Sequence, residues 1–382
     1  MNWIALKMLM GDRAKYLGII AGITFAALLI SQQAAIFCGL LLRTTSQLQD
    51  IADADIWVMD PNVEYFDELK PLKEDDLYRV QGVPGVAWAV RFYKGQGRMK
   101  LGTGQDQGTG KYQQAIVLGL DDATMVGAPR EIVRGSLADL RKPDAVMMDV
   151  NGYEYLWPGE PLEVGRVFEM NDHRAVIVGI CKSSRTFQTF PILYTRYHQA
   201  IQFVPQERKI MSFVLVHPQD DVPAQEVCER IHTMTGLRAI TRQQFADQTI
   251  GYYLRRTGIP VNFGITVALG FIVGCAIAGQ TFYTFILENL NQFGSLKAMG
   301  VSNTRILGMV LLQGLVVGFI GFCLGVGLTM LFGVLTKNTE VSFFMPWQVL
   351  VLTAVAVAVI VLLSSLISVR KVLVLEPAVV FR

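Results

Sequence analysis

The sequence predicts a membrane α-helical protein: four transmembrane helices in a one-plus-three order, with an extracytoplasmic, two-lobed α+β domain inserted on a helical stalk. Three observations carry that prediction. Hydrophobic residues make up 52% of the 382 residues and charged residues 17%, and the mean hydropathy is +0.37, outside the habit of soluble domains. Four apolar stretches, 17–43, 257–287, 306–335 and 347–369, each exceed the about 20 residues of helix that cross a bilayer. Between the first and second, residues 44–256 change character, with strand-like alternation, turn signals, most of the acidic residues and all four histidines.

The first stretch is about twice as long as the apolar core of a signal peptide. Gln32 and Gln33 interrupt the place where cleavage would be sought, so it reads as a retained span. Basic residues then orient the helices. Lys7, Arg13 and Lys15 precede the first span, Lys297 and Arg305 lie in the link 288–305, and Arg370, Lys371 and Arg382 follow the fourth span. The loop 336–346 offers Lys337 against Glu340. Both termini and the 288–305 link are therefore expected in the cytoplasm, with 44–256 and 336–346 on the outer side. The opening segment 1–16 sets apolar Trp3, Ile4, Leu6, Met8 and Leu9 among Lys7, Asp12, Arg13 and Lys15. It reads as an amphipathic helix at the bilayer surface or as a polar start to the first span.

Within the insert, segments 54–59, 86–90, 115–120, 145–148, 164–168, 175–180 and 213–216 read as strands, and 75–80 and 223–235 have helical spacing. Strands between about 115 and 215 are expected to form one lobe and the flanking segments the other. Leu42, Thr45, Leu48 and Gln49 carry helical spacing beyond the first span, and 242–256 does so before the second, which gives the stalk. Cys181 and Cys228 are the two cysteines of the insert; a disulfide and two buried thiols both remain open.

No catalytic chemistry is legible. The run from Gly102 to Gly110, followed by Lys111, lacks a phosphate loop's spacing, since Gln105 and Tyr112 stand where a glycine and a Ser or Thr are needed. His173, His198, His217 and His232 show no metal-ligand spacing. Asp121–Asp122 and Asp220–Asp221 are sequence neighbours and read as turns. No nucleophile elbow is present, so neither an enzyme nor a metal or other cofactor in this chain is expected. The formal charge of +2 gives no argument for nucleic acid. The spans carry no intramembrane charges of the kind that proton or ion carriers use; Gln32, Gln33 and Gln280 read as interhelical hydrogen-bonding groups. Gly270 with Gly274, Gly314 with Gly318, and Gly321 with Gly325 have the small-xxx-small spacing of close helix contacts. That spacing suits packing inside one subunit or a homodimer seam.

The link 288–305 is the most informative segment. Leu290, Phe293, Leu296 and Met299 recur every three residues, Gly300 ends the pattern, and Ser302 or Asn303 stands where the next helix is capped. A short amphipathic helix held between two membrane helices suits a handle for a soluble partner. The run Gln292-Phe293-Gly294-Ser295-Leu296-Lys297-Ala298-Met299-Gly300-Val301, with Ile306, resembles the coupling segment of the MacB/FtsX-like permease family of ABC transporters. Gln292 stands where the family has an acidic residue, and Asn291 where a basic one is common. The tail with Glu376-Pro377 and the insert segments around Gly135, Ala145, Gly165 and Val176 are similar to that family too, most of all to MacB- and DevC-type exporters. The resemblance implies a non-catalytic permease of the bacterial inner membrane. A separate cytoplasmic ABC ATPase would hold ATP and Mg and engage Leu290, Phe293, Gly294, Leu296, Lys297, Met299 and Gly300. It further implies a homodimer in the lipid bilayer, a periplasmic membrane-fusion adaptor, and mechanical transmission to the outer domain. Lipoprotein-releasing LolC/LolE-type permeases and FtsX-like regulators of cell-wall hydrolases share the plan.

Overall fold

The computed structural model describes residues 2–11, 13–101, 112–204, 211–337 and 339–374. The glycine run 102–110 and the tail with Glu376-Pro377 lie outside the described residues. The chain divides into two compact units: Leu41–Thr257, and Met1–Leu40 together with Gly258–Arg382.

The helices of the second of these are α1 (Asn2–Gly11), α2 (Arg13–Thr44), α9 (Ile259–Glu288), α10 (Leu290–Ala298), α11 (Asn303–Leu335) and α12 (Trp347–Val374). Four of them, Arg13–Thr44, Ile259–Glu288, Asn303–Leu335 and Trp347–Val369, are long and apolar enough to cross a membrane. Their core sets Ile23 and Ala27 of α2 against Phe282 of α9, Val317 of α11 and Ile360 of α12.

All three glycine pairs are used inside this bundle. A methyl group on Gly274 would lie 2.5 Å from Cβ of Ala26, and one on Gly270 3.2 Å from Cβ of Leu29, so α9 rests on α2. Gly314 and Gly318 would each meet Val361 at 2.8 Å, which seats α11 on α12. Gly321 and Gly325 would meet Ile23 and Ala27 at 2.7 and 2.6 Å, seating α11 on α2. Of the two readings of these six positions, packing inside one subunit is the one the geometry fits: their close-packed sides face helices of the same chain.

A second correction concerns the polar residues of the spans. Gln280 is exposed and Gln32 and Gln33 are half-buried, whereas Gln313, passed over in the sequence, is fully buried. Its Nε2 donates to the Ala5 carbonyl of α1 at 2.7 Å. Ser31 and Thr329 join α2 to α11 through hydroxyls 2.7 Å apart.

The inserted unit contains α3 (Ser46–Asp50), β1 (Ile56–Met59), α4 (Glu74–Gln81), β2 (Val86–Lys100), β3 (Tyr112–Leu120), β4 (Glu131–Arg134), β5 (Ala145–Asp149), α5 (Val150–Leu156), β6 (Val167–Met170), β7 (His173–Lys182), β8 (Ile192–Arg196), α6 (Tyr197–Phe203), β9 (Phe213–Pro218), α7 (Ala224–Thr235), β10 (Arg238–Thr241) and α8 (Arg242–Arg256). The strands form one mixed sheet ordered β10-β1-β9-β2-β3-β8-β5-β7-β4, with β6 pairing β2 and β7. The four apolar helices and this mixed α+β domain bear out the fold class.

Period-two alternation sends neighbouring side chains to opposite faces. Val58, Val117, Val146 and Val214 enter a core covered by α4, α5, α6 and α7. Trp57, Leu118, Met147 and Leu215 enter another core, with Leu48 of α3 and Phe245 of α8. Cys181 and Cys228 are buried in these two different cores and are free thiols.

The two lobes are the two ends of this sheet, and they share β2. Val86 to Phe92 pairs with β9, and Tyr93 to Lys100 pairs with β3. β9, placed by its sequence position in the middle lobe, belongs to the flanking one, beside β1. The expected stalk segments also differ from expectation. Leu48 and Phe245 are each 0% exposed, so α3 and α8 lie on the domain's own sheet rather than standing clear of it.

Candidate coupling site

The link between α9 and α11 is built from two local devices. Asn289 starts it: both its backbone N–H and its Nδ2 donate to the Phe285 carbonyl, at 3.2 and 2.8 Å, while its own carbonyl accepts from Phe293 N at 3.1 Å. The chain therefore ends α9 and begins α10 on one residue. At the far end, Val301 N donates to Leu296 O at 3.1 Å and Gly300 N to Lys297 O at 3.0 Å. This is a Schellman ending, which needs a left-handed residue; Gly300 supplies it at φ +86. Leu296 and Val301 lie in one small apolar cluster, the contact that accompanies this motif. Ser302 takes the N-cap position of α11 with extended backbone, although its hydroxyl makes no capping bond.

The apolar stripe read from the sequence splits in two. Phe293 and Gly294 are buried, Leu296 is nearly so, and Leu290 is half-buried. Phe293 shares a cluster with Phe285, Ile306 and Val310, and Leu296 one with Ala5 of α1 and Met309. Met299, by contrast, is 72% exposed. The reading of Phe293, Gly294 and Leu296 as a free apolar face for a partner is thereby corrected: these three hold α10 against its own bundle. The outward surface is Asn291, Gln292, Ser295, Ala298 and Met299, four short or neutral groups around one long apolar side chain. Lys297 is half-buried beside it and Gly300 exposed. No charge is aimed outward at position 292.

The first membrane helix meets the link's beginning through the ion pair of Lys15 with Glu288. That pair could have been anticipated only with the helix packing in hand, since 273 residues separate the partners in sequence order (15 to 288).

Other candidate residues resolve into ordinary structure. His198 contacts Asp122 at 2.6 Å and His217 contacts Asp55 at 2.6 Å, while His232 Nδ1 lies 2.9 Å from the Leu237 carbonyl. Among the described residues no group of three or more His, Cys, Asp or Glu forms a metal-ligand cluster. Asp121 caps its own turn through Ala123 N and Thr124 N at 3.2 and 3.0 Å.

Two buried charges in the inserted unit were not legible. Lys94 of β2 is buried, with its ammonium paired with Asp67 and 3.5 Å from the Phe66 ring centroid. Burial pushes it below the usual lysine range, and Asp67 opposes that shift. Asp149 caps α5, accepting from Gly152 N at 3.0 Å and Ile192 N at 2.7 Å. Burial raises its carboxyl to about 6 against those two donors.

Residues 264–377 match the family model described as the FtsX-like permease C-terminal domain. A putative hemin transport system permease protein, HrtB, of Staphylococcus haemolyticus (strain JCSC1435) is 23% identical over 221 residues, 57% of this chain and 59% of that protein. An uncharacterized ABC transporter permease, Rv2563, of Mycobacterium tuberculosis (strain ATCC 25618 / H37Rv) is 32% identical over 117 residues, 31% of this chain and 33% of that one. The chain thus spans about three fifths of one curated relative and a third of the other. Among solved structures, the periplasmic region of MacB from Actinobacillus actinomycetemcomitans aligns at TM-score 0.38 and 14% identity, covering 53% of this chain and 95% of that one. The extracellular domain of YknZ, a noncanonic ABC-type transporter from Gram-positive bacteria, aligns at TM-score 0.36 and 13% identity, covering 49% and 98%. Residues 264–377, which take in most of α9 and all of α10, α11 and α12, thus match the FtsX-like permease C-terminal domain, and the expected resemblance of this chain to FtsX-like permeases of ABC transporters is borne out.

Proposed function

We propose that this chain is the permease subunit of a MacB-type ABC exporter, lodged in the bacterial inner membrane with both termini and the link 288–305 in the cytoplasm. A separate ATPase, holding ATP and Mg, docks on α10. Its cycle moves the membrane helices, and the inserted periplasmic domain works on cargo together with an adaptor protein. Two copies of the chain form the working permease, and the chain itself has no catalytic step.

The observation that supports this reading is α10 itself. A nine-residue helix is rooted by Phe293 and Leu296 in the bundle, fixed at both ends by backbone bonds, and exposes a small neutral surface centred on Met299. Displacement of such a helix is passed to α9 and α11, because its inner side has no room to slip. The relative named for hemin transport makes a porphyrin the first cargo to try.

The test is co-purification of the full chain with a co-expressed ABC ATPase from the same organism. Met299→Asp, which leaves the buried side of α10 intact, is expected to lower ATPase retention at least tenfold while the chain still inserts and folds. Undiminished retention and permease-stimulated ATP hydrolysis in that variant would remove α10 as the docking helix.

A further inference from the structure

α3 and α8 cover the same face of the sheet, yet their polar fastenings go to different strands. Asp50, the last residue of α3, accepts three hydrogen bonds from one turn: Ser183 Oγ at 3.0 Å, Ser184 N at 2.8 Å and Ser184 Oγ at 2.8 Å. The Ser183 hydroxyl lies 2.9 Å from the Tyr194 hydroxyl of β8. Ser46 Oγ donates to the Arg185 carbonyl at 3.1 Å. These partners belong to β8 and to the turn that follows β7, in the half of the sheet beyond β3.

α8 is held elsewhere. Gln248 accepts from Arg238 of β10 at 2.5 Å and donates to the Val63 and Glu64 carbonyls at 3.1 and 2.8 Å. Thr249 accepts from Phe66 N at 3.2 Å, and Tyr252 stacks on Tyr65 with centroids 4.1 Å apart. Its Phe245 ring meets Trp57 of β1 and Phe213 of β9. All of these lie in the β10-β1-β9 half or its adjoining 63–67 loop.

Where the two sets of contacts meet, the shared packing is of rings and aliphatic groups beside a small cleft lined by Gln47, Asp67 and Thr186. Leu48 and Phe245 share a core, and the Phe187 ring, from the α3-bound side, lies 5.4 Å from Tyr253. Directional hydrogen bonds resist displacement, whereas apolar contacts have no preferred direction and tolerate sliding. β2 is the strand common to both halves. Lys94 sits where its pairing changes sides, with the Ser212 hydroxyl bridging its backbone N–H and carbonyl at 3.0 and 2.9 Å. In the chain α3 follows the first membrane helix and α8 precedes the second.

We infer that α3 and α8 are separate drivers, each fastened to its own half of the sheet, so that displacing one against the other bends the domain at β2. The use of this device rests on the force-transmission reading above; its existence does not.

Amide hydrogen exchange on the full chain in lipid nanodiscs tests it without any ATPase. Asp50→Ala is expected to speed exchange about tenfold in β7 and β8, leaving β1, β9 and β10 unchanged. Gln248→Ala combined with Thr249→Val is expected to do the reverse. Asp67→Asn, beside Lys94, should loosen both halves. If Asp50→Ala fails to fold, Ser184→Ala removes one of the same three bonds, that of the Ser184 hydroxyl, more gently and carries the same expectation. Equal loosening of both halves by an anchor variant, or no local loosening, overturns the inference. A failure of α10 to bind an ATPase would overturn the transport reading and leave this exchange pattern standing.

Discussion

Lys94 concentrates the residue-scale chemistry of the inserted domain, because a buried ammonium in a β-strand is tolerated only with a partner. Asp67 provides the carboxylate and Phe66 the aromatic face. Asp67→Ala should therefore cost about 3 kcal/mol, the lower end of the range for breaking a buried pair, since Asp67 itself keeps some contact with solvent. Lys94→Met with Asp67→Leu should recover most of that loss. Denaturant unfolding of the single and double variants checks both statements, and an additive double variant would contradict the pairing.

Asp149 gives a pH signature. Its folded pKa of about 6 lies above the unfolded carboxylate value near 3.9, so the folded state takes up the proton first. Stability from this group is present below about pH 4 and is lost as pH rises through 6, a change of about 3 kcal/mol. Asp149→Asn should flatten that part of the stability–pH curve. An unchanged slope between pH 4 and 6 would show the carboxyl to be ionised throughout.

At the scale of elements, α10 and the glycine pairs show what packing adds to spacing. Phe293→Asp places a carboxylate in the Phe285, Ile306 and Val310 cluster and is expected to unfold or mis-insert the permease domain. Met299→Asp, on the exposed side, should leave the melting temperature within a few degrees. Gly274→Leu should loosen α2 from α9, read as faster proteolysis of the solubilised chain. A normal, stable subunit in that variant would contradict the close contact with Ala26.

Spacing was enough to read α10 as a short helix with one apolar stripe, and small-xxx-small spacing was enough to find close helix contacts. Neither says which surface is met. That depends on residues distant in sequence: Ala5 and Met309 for Leu296, Ile23 for Gly321.

The strands β4, β8 and β10 were missed for related reasons. Each is four or five residues long, β4 is largely exposed at the sheet edge, and β10 opens on Arg238 and closes on Thr241. β6 begins later than the alternation over 164–168 suggests, because Gly165, at φ +94, belongs to the turn before it. Lys94 and Asp149 carry no sequence signal: Lys94 stands among Arg91, Gln96 and Arg98 like any strand surface charge, and Asp149 ends the apolar run 145–148 where a helix cap is ordinary.

For the whole molecule, hydropathy alone separates four apolar helices from a large insert, and the sheet of the insert follows from short apolar runs such as Ile56–Met59 and Ala145–Asp149, buried on both faces. What composition does not contain is the division of labour among its parts. On the proposed function the membrane unit is a lever: an ATPase moves α10, and the movement continues along α9 and α11. The central claim is therefore that the exposed side of α10, and not its buried side, is the contact with the ATPase. The most direct test introduces single cysteines at Ser295, Ala298 and Met299 in the full chain and measures site-specific cross-linking to the co-expressed ATPase in membranes. Cross-links at these three positions, absent from a cysteine placed at exposed Leu328 of α11, are the predicted result. Cross-linking equal at all four positions, or at none, would contradict the account.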